Sequence, residues 1–517
     1  MWCVVMKKKM FFKNLMLLTV ASVLSRIIGI IFRVYMSSKV SPEGIGLYQL
    51  ISTVYFFAIT FATSGISLAV TRLVTDFIAN NEYIKAKMVT RLCICISLML
   101  SFIASFTILL NAQFIGDKIL FDTRTVLSLK ILAFSLPFVA ISACFRGYFY
   151  AVRKVFNTAS EQLFEQIIEI AVFMILIGEF SKKGLAYSCC AIVIGTTIAE
   201  ILSCVYSFIL YSKDMHKYKA SGFESNGLIK SIFKISMPIT LSSCLRSGLN
   251  MVENTLIPSG LNKYLASESK SLSIYGMISG MVLPIISFPA VLLLSFSSLL
   301  IPEMSEANAI NHKNNINHMT SVVLRFTLLF SILISGIFFI FHNDLSMLIY
   351  KTEEAGIYIK ILAPIVTIMY LDMVIDGMLK GLNQQMYHMS YNITDSILRV
   401  ILIYIFVPKF GLNAFIAVIF ISEIFNFYLS LRRLIFVTKL NINIKEWLIK
   451  PIISISITLF LFSFISLHFN MDNLYNPLIV ILKIIFFIMT YMISLKITNS
   501  ITKDDIYWMK NSLCKNN

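Results

Sequence analysis

Apolar residues fall along this chain in blocks of roughly 20 or more, separated by short polar connections, a spacing that fits helices crossing about 30 Å of hydrocarbon. About fourteen such blocks predict spans, near 14–36, 45–71, 92–110, 126–145, 161–180, 185–211, 232–256, 274–300, 320–341, 356–378, 389–407, 411–431, 447–468 and 474–495. Several blocks carry polar residues in register with a helix. In the first, at about 100° per residue, Thr19, Ser22, Arg26, Arg33 and Ser37 lie close to one line, with Gly29 beside it. In the seventh, MPITLSSCLRSGLNMVENTLIP, the residues Ser242, Arg246, Asn250 and Glu253 share a face.

An arginine at a bilayer centre costs about 2.5–3.5 kcal/mol on insertion scales, so each embedded charge needs a reason. Arg33, near one end of its span, has an ordinary one, because its head can snorkel to the interface. Arg26 lies some twelve residues into the apolar run, where snorkelling is harder. A stripe facing water or an anionic ligand accounts for both arginines, and a planar guanidinium that stays charged suits bidentate phosphate recognition. For Arg246 two readings stand: contact with the same anion, or a neutral network with Asn250 and Glu253 on its own helix. Glu165 with Glu169 and Asp395 with Arg399 are i,i+4 pairs expected to be structural, and Asp372, Asp376 and Lys380 form another stripe. Glu200 and Glu423, each in mid-span, are read either as hydrogen-bonded structural groups or as coupling-ion sites. Pro137, Pro238, Pro284, Pro289 and Pro364 fall inside spans and predict bends, and Gly276–Gly280 is a GxxxG packing signal.

Composition agrees with the pattern. Of 517 residues, 57% are hydrophobic and 14% charged, with a mean hydropathy of +0.81, whereas soluble domains are nearer half apolar and a quarter charged. The expected fold class is an all-α polytopic membrane protein. The net charge of +17 invites a nucleic-acid reading, but its distribution opposes one. The termini and alternate loops on one side carry roughly 28 Lys and Arg and the loops on the other side roughly 9, which makes the basic balance a topological signal. Both termini are therefore expected on the cytoplasmic side of the cell membrane, and no nucleic acid is expected as a partner. The run after Lys7, Lys8 and Lys9 is too long for a signal peptide and lacks a small-residue cleavage site. The nine cysteines show no CxxC and no companion histidines, so no metal site or disulfide framework is expected. There is no phosphate-cradling loop, no GxSxG and no carboxylate pair in an extramembrane pocket, so no catalytic residue and no cofactor are expected.

The halves of the chain resemble each other. FRGYFYAVRKVFNTASEQLFEQ around Gly147 aligns with LKGLNQQMYHMSYNITDSILRV around Gly381, setting Glu161 against Asp395. KKGLAYS at 182–188 faces KFGLNAF at 409–415, and Glu200 faces Glu423. Two pseudo-symmetric six-helix lobes are expected, at 1–211 and 232–436, joined by a cytoplasmic linker at 212–231 and followed by two further helices and a tail in 437–517. Same-orientation repeats of this kind occur in transporters that hold substrate between their halves.

LSRIIGIIFRVYMSSKVSPEGIGLYQL, TSGISLAVTRLVTDF and YGMISGMVLPIISFPAVLLLSFSSLLIPEMSEA resemble the polysaccharide-transporter family of the multidrug/oligosaccharidyl-lipid/polysaccharide flippase superfamily, in its stage V sporulation B-like branch. That branch is related to the lipid II flippases. The resemblance implies two lobes around a cavity lined by spans one, two, seven and eight, and a final helix pair that in lipid II flippases forms a groove for the lipid tail. It implies a cargo of undecaprenyl-pyrophosphate-linked cell-wall glycan, here for the spore cortex, moved by alternating access. Transport would draw on the membrane potential or an ion gradient, among membrane lipids and beside cell-wall synthesis enzymes. Arg26 matches a cavity arginine of lipid II flippases, Arg33 is displaced by one position, and Arg246 lies on the helix that carries their seventh-span arginine. A multidrug or cation antiporter of the same superfamily, which would favour an acidic cavity, and a non-transporting scaffold are the alternatives.

The charge asymmetry yields a topology test. A single cysteine at Lys217 should resist an impermeant thiol reagent in intact cells, and one at Glu353 should react. Labelling at position 217 would invert the orientation.

Overall fold

A computed structural model of the chain describes residues 23–80, 82–215, 227–310, 312–440, 445–469, 477–498 and 500. Thr19 and Ser22, most of the 212–231 linker, and Cys3 and Cys514 lie outside these residues. The described elements are helices: α1 (23–39), α2 (Pro42–Ala79), α3 (Tyr83–Phe114), α4 (Thr125–Ala133), α5 (Leu136–Ala151), α6 (Val155–Phe180), α7 (Leu185–Met215), α8 (Leu228–Leu265) and α9 (Glu268–Tyr275). They continue with α10 (Leu283–Ser287), α11 (Ala290–Ala309), α12 (Lys313–Ile340), α13 (His342–Tyr350), α14 (Glu354–Leu362), α15 (Val366–Gly381), α16 (Gln385–Thr438), α17 (Lys450–Phe469) and α18 (Pro477–Ile497).

A helix satisfies its own backbone, which hydrocarbon requires. Ten of the described helical segments are long and apolar enough to cross a membrane, and eleven if the α4–α5 pair, bent by 48°, makes one span. Fourteen were expected. The shortfall has physical sources: the first expected span starts outside the described residues, α6 carries four glutamates, and α16 covers two expected spans in one run of 54 residues. That run breaks at Gly411, whose φ of 59° leaves the helical region at the boundary read from the sequence. Four of the five expected proline bends are helix breaks. Pro137 opens α5, Pro284 opens α10, Pro289 caps α11 and Pro364 sits in the 3-10 turn before α15. Pro238 stays inside α8.

Two compact units divide the chain, residues 1–280 with 400–414, and residues 281–399 with 415–517. In the first, α2 is central. Its Ile66, Ala69, Val70 and Val74 pack with Val89 and Cys93 of α3, Phe145 and Tyr148 of α5, and Ile232 of α8. Phe32 and Met36 of α1, with Val40 just beyond it, pack instead on Phe173 and Ile177 of α6. Small polar residues bind the helices where water is excluded. Ser97 donates to the Ala62 carbonyl at 2.7 Å and Ser105 to the Ala133 carbonyl at 2.7 Å. In the second unit, α17 and α18 join α12 through Phe462 and Phe487, which pack around Phe341. Tyr491 donates to the Leu329 carbonyl at 3.2 Å. Of the seven described cysteines, Cys93, Cys144, Cys189, Cys190 and Cys204 are buried, Cys244 is half-buried and Cys95 is exposed.

Close backbone approach fixes some glycines. A Cβ at Gly147 would stand 2.6 Å from the Ser67 carbonyl, whereas one at Gly178 would meet nothing within 4 Å. Gly147→Ala should therefore lower stability by about 1–3 kcal/mol, as overpacking does. Gly178→Ala should be neutral or stabilising by up to about 1 kcal/mol. Thermal unfolding in detergent checks both.

Candidate functional site

The polar stripe of α1 runs beside its buried face. Phe32 and Met36 turn into the first unit, while Arg33 is half-buried and Arg26 exposed. At Gly29 an added Cβ would come within 3.0 Å of Gln166 Nε2 on α6, so the two helices touch beside the stripe. Arg33 exerts a Coulombic pull on Glu169 of α6 and Tyr48 of α2 without reaching either in an ion pair. Ser37 spends its hydroxyl on the Val34 carbonyl, at 2.8 Å.

On α8 the shared face divides. Arg246 and Asn250 are exposed and Glu253 is buried, near Tyr275 of α9. Ser242 donates to the Ile239 carbonyl at 3.0 Å, and the Asn250 carbonyl accepts from Asn254 at 2.8 Å. Among the described residues, Arg26, Arg33 and Arg246 have no ion-pair partner, and no hydrogen bond joins Arg246 to Asn250. Arg26 and Arg33 thus share one stripe on α1, and Arg246 with Asn250 one exposed stretch of α8, with Glu253 set apart.

Pairing dominates elsewhere. Arg146 of α5 reaches Glu161 at 3.0 Å and Glu165 at 3.8 Å on α6. Glu161 is fully buried and also accepts from Ser203 of α7 at 2.9 Å. Glu169 accepts from Thr196 at 2.8 Å. Glu200 is buried on α7 beside this group, so it faces carboxylates and Arg146. In the second unit Asp395 pairs with Arg399 at 2.6 Å and accepts from Ser422 at 2.6 Å. Lys380 pairs with Asp376 at 2.6 Å, and Asn426 donates to Asp372 at 3.0 Å. Glu423 is half-buried on α16.

Arg146 was not singled out from the sequence, yet a signal existed. It aligns with Lys380 in the internal repeat, each just before a glycine. The repeat also recurs in the contacts. Glu161 and Asp395, aligned in sequence, are each buried, each paired with an arginine and each bonded to a serine.

This fold, with charges paired inside its helices, is that of a membrane transporter of the multidrug/oligosaccharidyl-lipid/polysaccharide superfamily. A lipid II flippase, MurJ, solved in an inward closed conformation, superposes with a TM-score of 0.67 at 18% identity, over 93% of this chain and 98% of that one. An inward-facing multidrug transporter of the MATE family gives 0.60 at 14%, over 80% and 96%. The family model described as polysaccharide biosynthesis protein matches residues 11–307, and the chain belongs to that family. The MatE model matches 238–405. Among curated relatives, stage V sporulation protein B of Bacillus subtilis (strain 168) is 24% identical over 86% of this chain and 87% of its own length. Lipid II flippase MurJ of the same organism is 26% identical over 31% of this chain and 32% of its own.

The Arg146 network yields a stability test. Arg146→Ala strands two carboxylates and should cost about 3–5 kcal/mol, read as lost abundance. Adding Glu161→Gln should recover part of it. An undiminished single mutant would remove the structural role.

Proposed function

We propose that the protein is a flippase that carries an undecaprenyl-pyrophosphate-linked glycan precursor, lipid II-like and destined for spore cortex, across the cytoplasmic membrane by alternating access. The observation that carries this reading is the arginine stripe of α1. Arg26 and Arg33 lie in an apolar helix with no carboxylate partner among the described residues. A guanidinium so placed needs water or an anion, and a diphosphate supplies two or more acceptors at once. Arg246 and Asn250, exposed on α8, supply further donors, while Glu253 is buried away from them. The tail stays in lipid while the headgroup moves, driven by the membrane potential or an ion gradient. Both termini would be cytoplasmic, and cell-wall synthesis enzymes would be natural neighbours. The relatives named above support the reading, since one is a sporulation protein and another a lipid II flippase.

A second reading rests on a different observation. Glu161, Glu165, Glu169 and Glu200 gather near one arginine, Arg146, which would suit a cation-coupled antiporter.

Substitution at α1 separates them. Arg26→Ala should abolish complementation of a strain depleted of its lipid II flippase while abundance stays normal. Arg26→Lys should rescue only in part, because a point charge loses the bidentate fork. A charge-assisted contact of about 1.5–3 kcal/mol corresponds to roughly 10- to 100-fold in binding. The self-contained reading of Arg246 predicts otherwise: Arg246→Ala would lower abundance and Glu253→Gln would restore it. Normal complementation by Arg26→Ala would remove the phosphate role from α1.

A further inference from the structure

Where α2 begins and α8 gives way to α9, three segments of the first unit meet around one cation. Arg124, in the connection between α3 and α4, donates through Nη1 to Glu43 Oε1 of α2 at 2.8 Å. Through Nε and Nη2 it grips Asp122 at 3.0 and 2.7 Å. Glu268, the first residue of α9, stands 3.7 Å from Nη2. Ser269 donates to the other oxygen of Glu43 at 2.7 Å. Its hydrogen bonds to the Asp122 and Glu43 carboxylates raise the Arg124 pKa above its ordinary value, so the charge at this junction is permanent.

The contacts are unequal. Those joining Arg124 to Asp122 and Glu43 are short, and the Asp122 side chain is 3% exposed. Among the described residues, the α8–α9 turn reaches this cluster through the side chains of Glu268, half exposed, and Ser269, also exposed. Exposed pairs of this kind are weak. Beneath them lies a seam without side chains. A Cβ at Gly46 would stand 2.3 Å from the Leu272 carbonyl, and one at Gly276 would stand 2.1 Å from the Pro42 carbonyl. The seam ends in π-helix, Gly276–Val282, a form frequent at functional sites. Two residues beside the junction, Phe121 and Ala266, hold left-handed backbone at φ 57° and 50°. A cavity of about 260 Å³, lined in part by Leu50, Phe121, Asp122, Lys263 and Glu268, borders the turn and leaves it room to move.

We propose that the α8–α9 turn is a latch on this end of the first unit. Docked on Arg124 and Glu43, it keeps α9 seated along α2. Undocked, it lets α8 and α9 part from α2 as one step of the transport cycle. The inference rests on the alternating-access reading, and its first test does not need the cargo. Ser271, 1% exposed under the turn, serves as reporter when replaced by cysteine in an otherwise cysteine-free full chain. In permeabilised membranes an impermeant maleimide should label Ser271→Cys slowly. Adding Glu268→Gln and Ser269→Ala, which leave the Arg124–Asp122–Glu43 contacts intact, should speed labelling roughly threefold or more. Lys270→Ala, an exposed neighbour, should not change it. Unchanged labelling in the double variant at normal abundance overturns the latch. A second arm guards against misfolding: Glu43→Cys with Ser269→Cys should cross-link on oxidation and stop complementation, and reductant should restore it. Full activity in the cross-linked state also overturns the latch. A reduced protein that never complements would instead count against the flippase reading, leaving the labelling result to decide the latch.

Discussion

A charge inside hydrocarbon must find a partner, and much of this structure follows from how that demand is met. Backbone groups meet it by forming helices, and serines and threonines by bonding carbonyls on their own or adjoining helices. Buried carboxylates meet it through Arg146, Arg399, Lys380 and nearby hydroxyls. Set against this pairing, the arginines of α1 and α8 are exceptions, since none of the three forms an ion pair among the described residues. An anionic cargo gives such an exception a purpose.

The two units solve one problem with interchanged charges. Where the repeat places Glu165 in the first unit, the second has Arg399, and it pairs within its own helix with Asp395. The first unit imports its cation from α5 instead. Arg146 must then answer two glutamates, while in the second unit Asp395 and Asp376 each have a cation of their own. That inequality leaves the buried glutamates of the first unit sharing one cation, although both halves show a similar pattern of spans.

What could be read from sequence was what lies along one helix. Periodicity found the spans, the polar stripe of α1, the Asp395–Arg399 pair four residues apart, and the break between 407 and 411. It missed contacts between helices for a plain reason. Arg146 and Glu161 are fifteen positions apart on consecutive helices, and Arg124 and Glu43 are separated by 81. Spacing rules address neighbours at three and four residues, and tertiary packing decides the rest. The GxxxG at Gly276–Gly280 was visible, but that its partner is the opening of α2 was not. At Arg246 the sequence left two readings open. The structure shows no bond from it to Asn250, and both side chains are exposed.

The length of α2 has a mechanical consequence. Its 38 residues span about 57 Å at 1.5 Å each, against a hydrocarbon thickness of about 30 Å. The rod must tilt or protrude, and its glycine seam sits near one tip, at Gly46. Its far half is held too, by the cluster it forms with α3, α5 and α8, so those helices move with it. A tilt of about 10° about Gly46 carries the far tip about 9 Å by the same rise per residue. Small adjustments at one surface of the membrane would thus arrive at the other as displacements the size of a sugar ring or more.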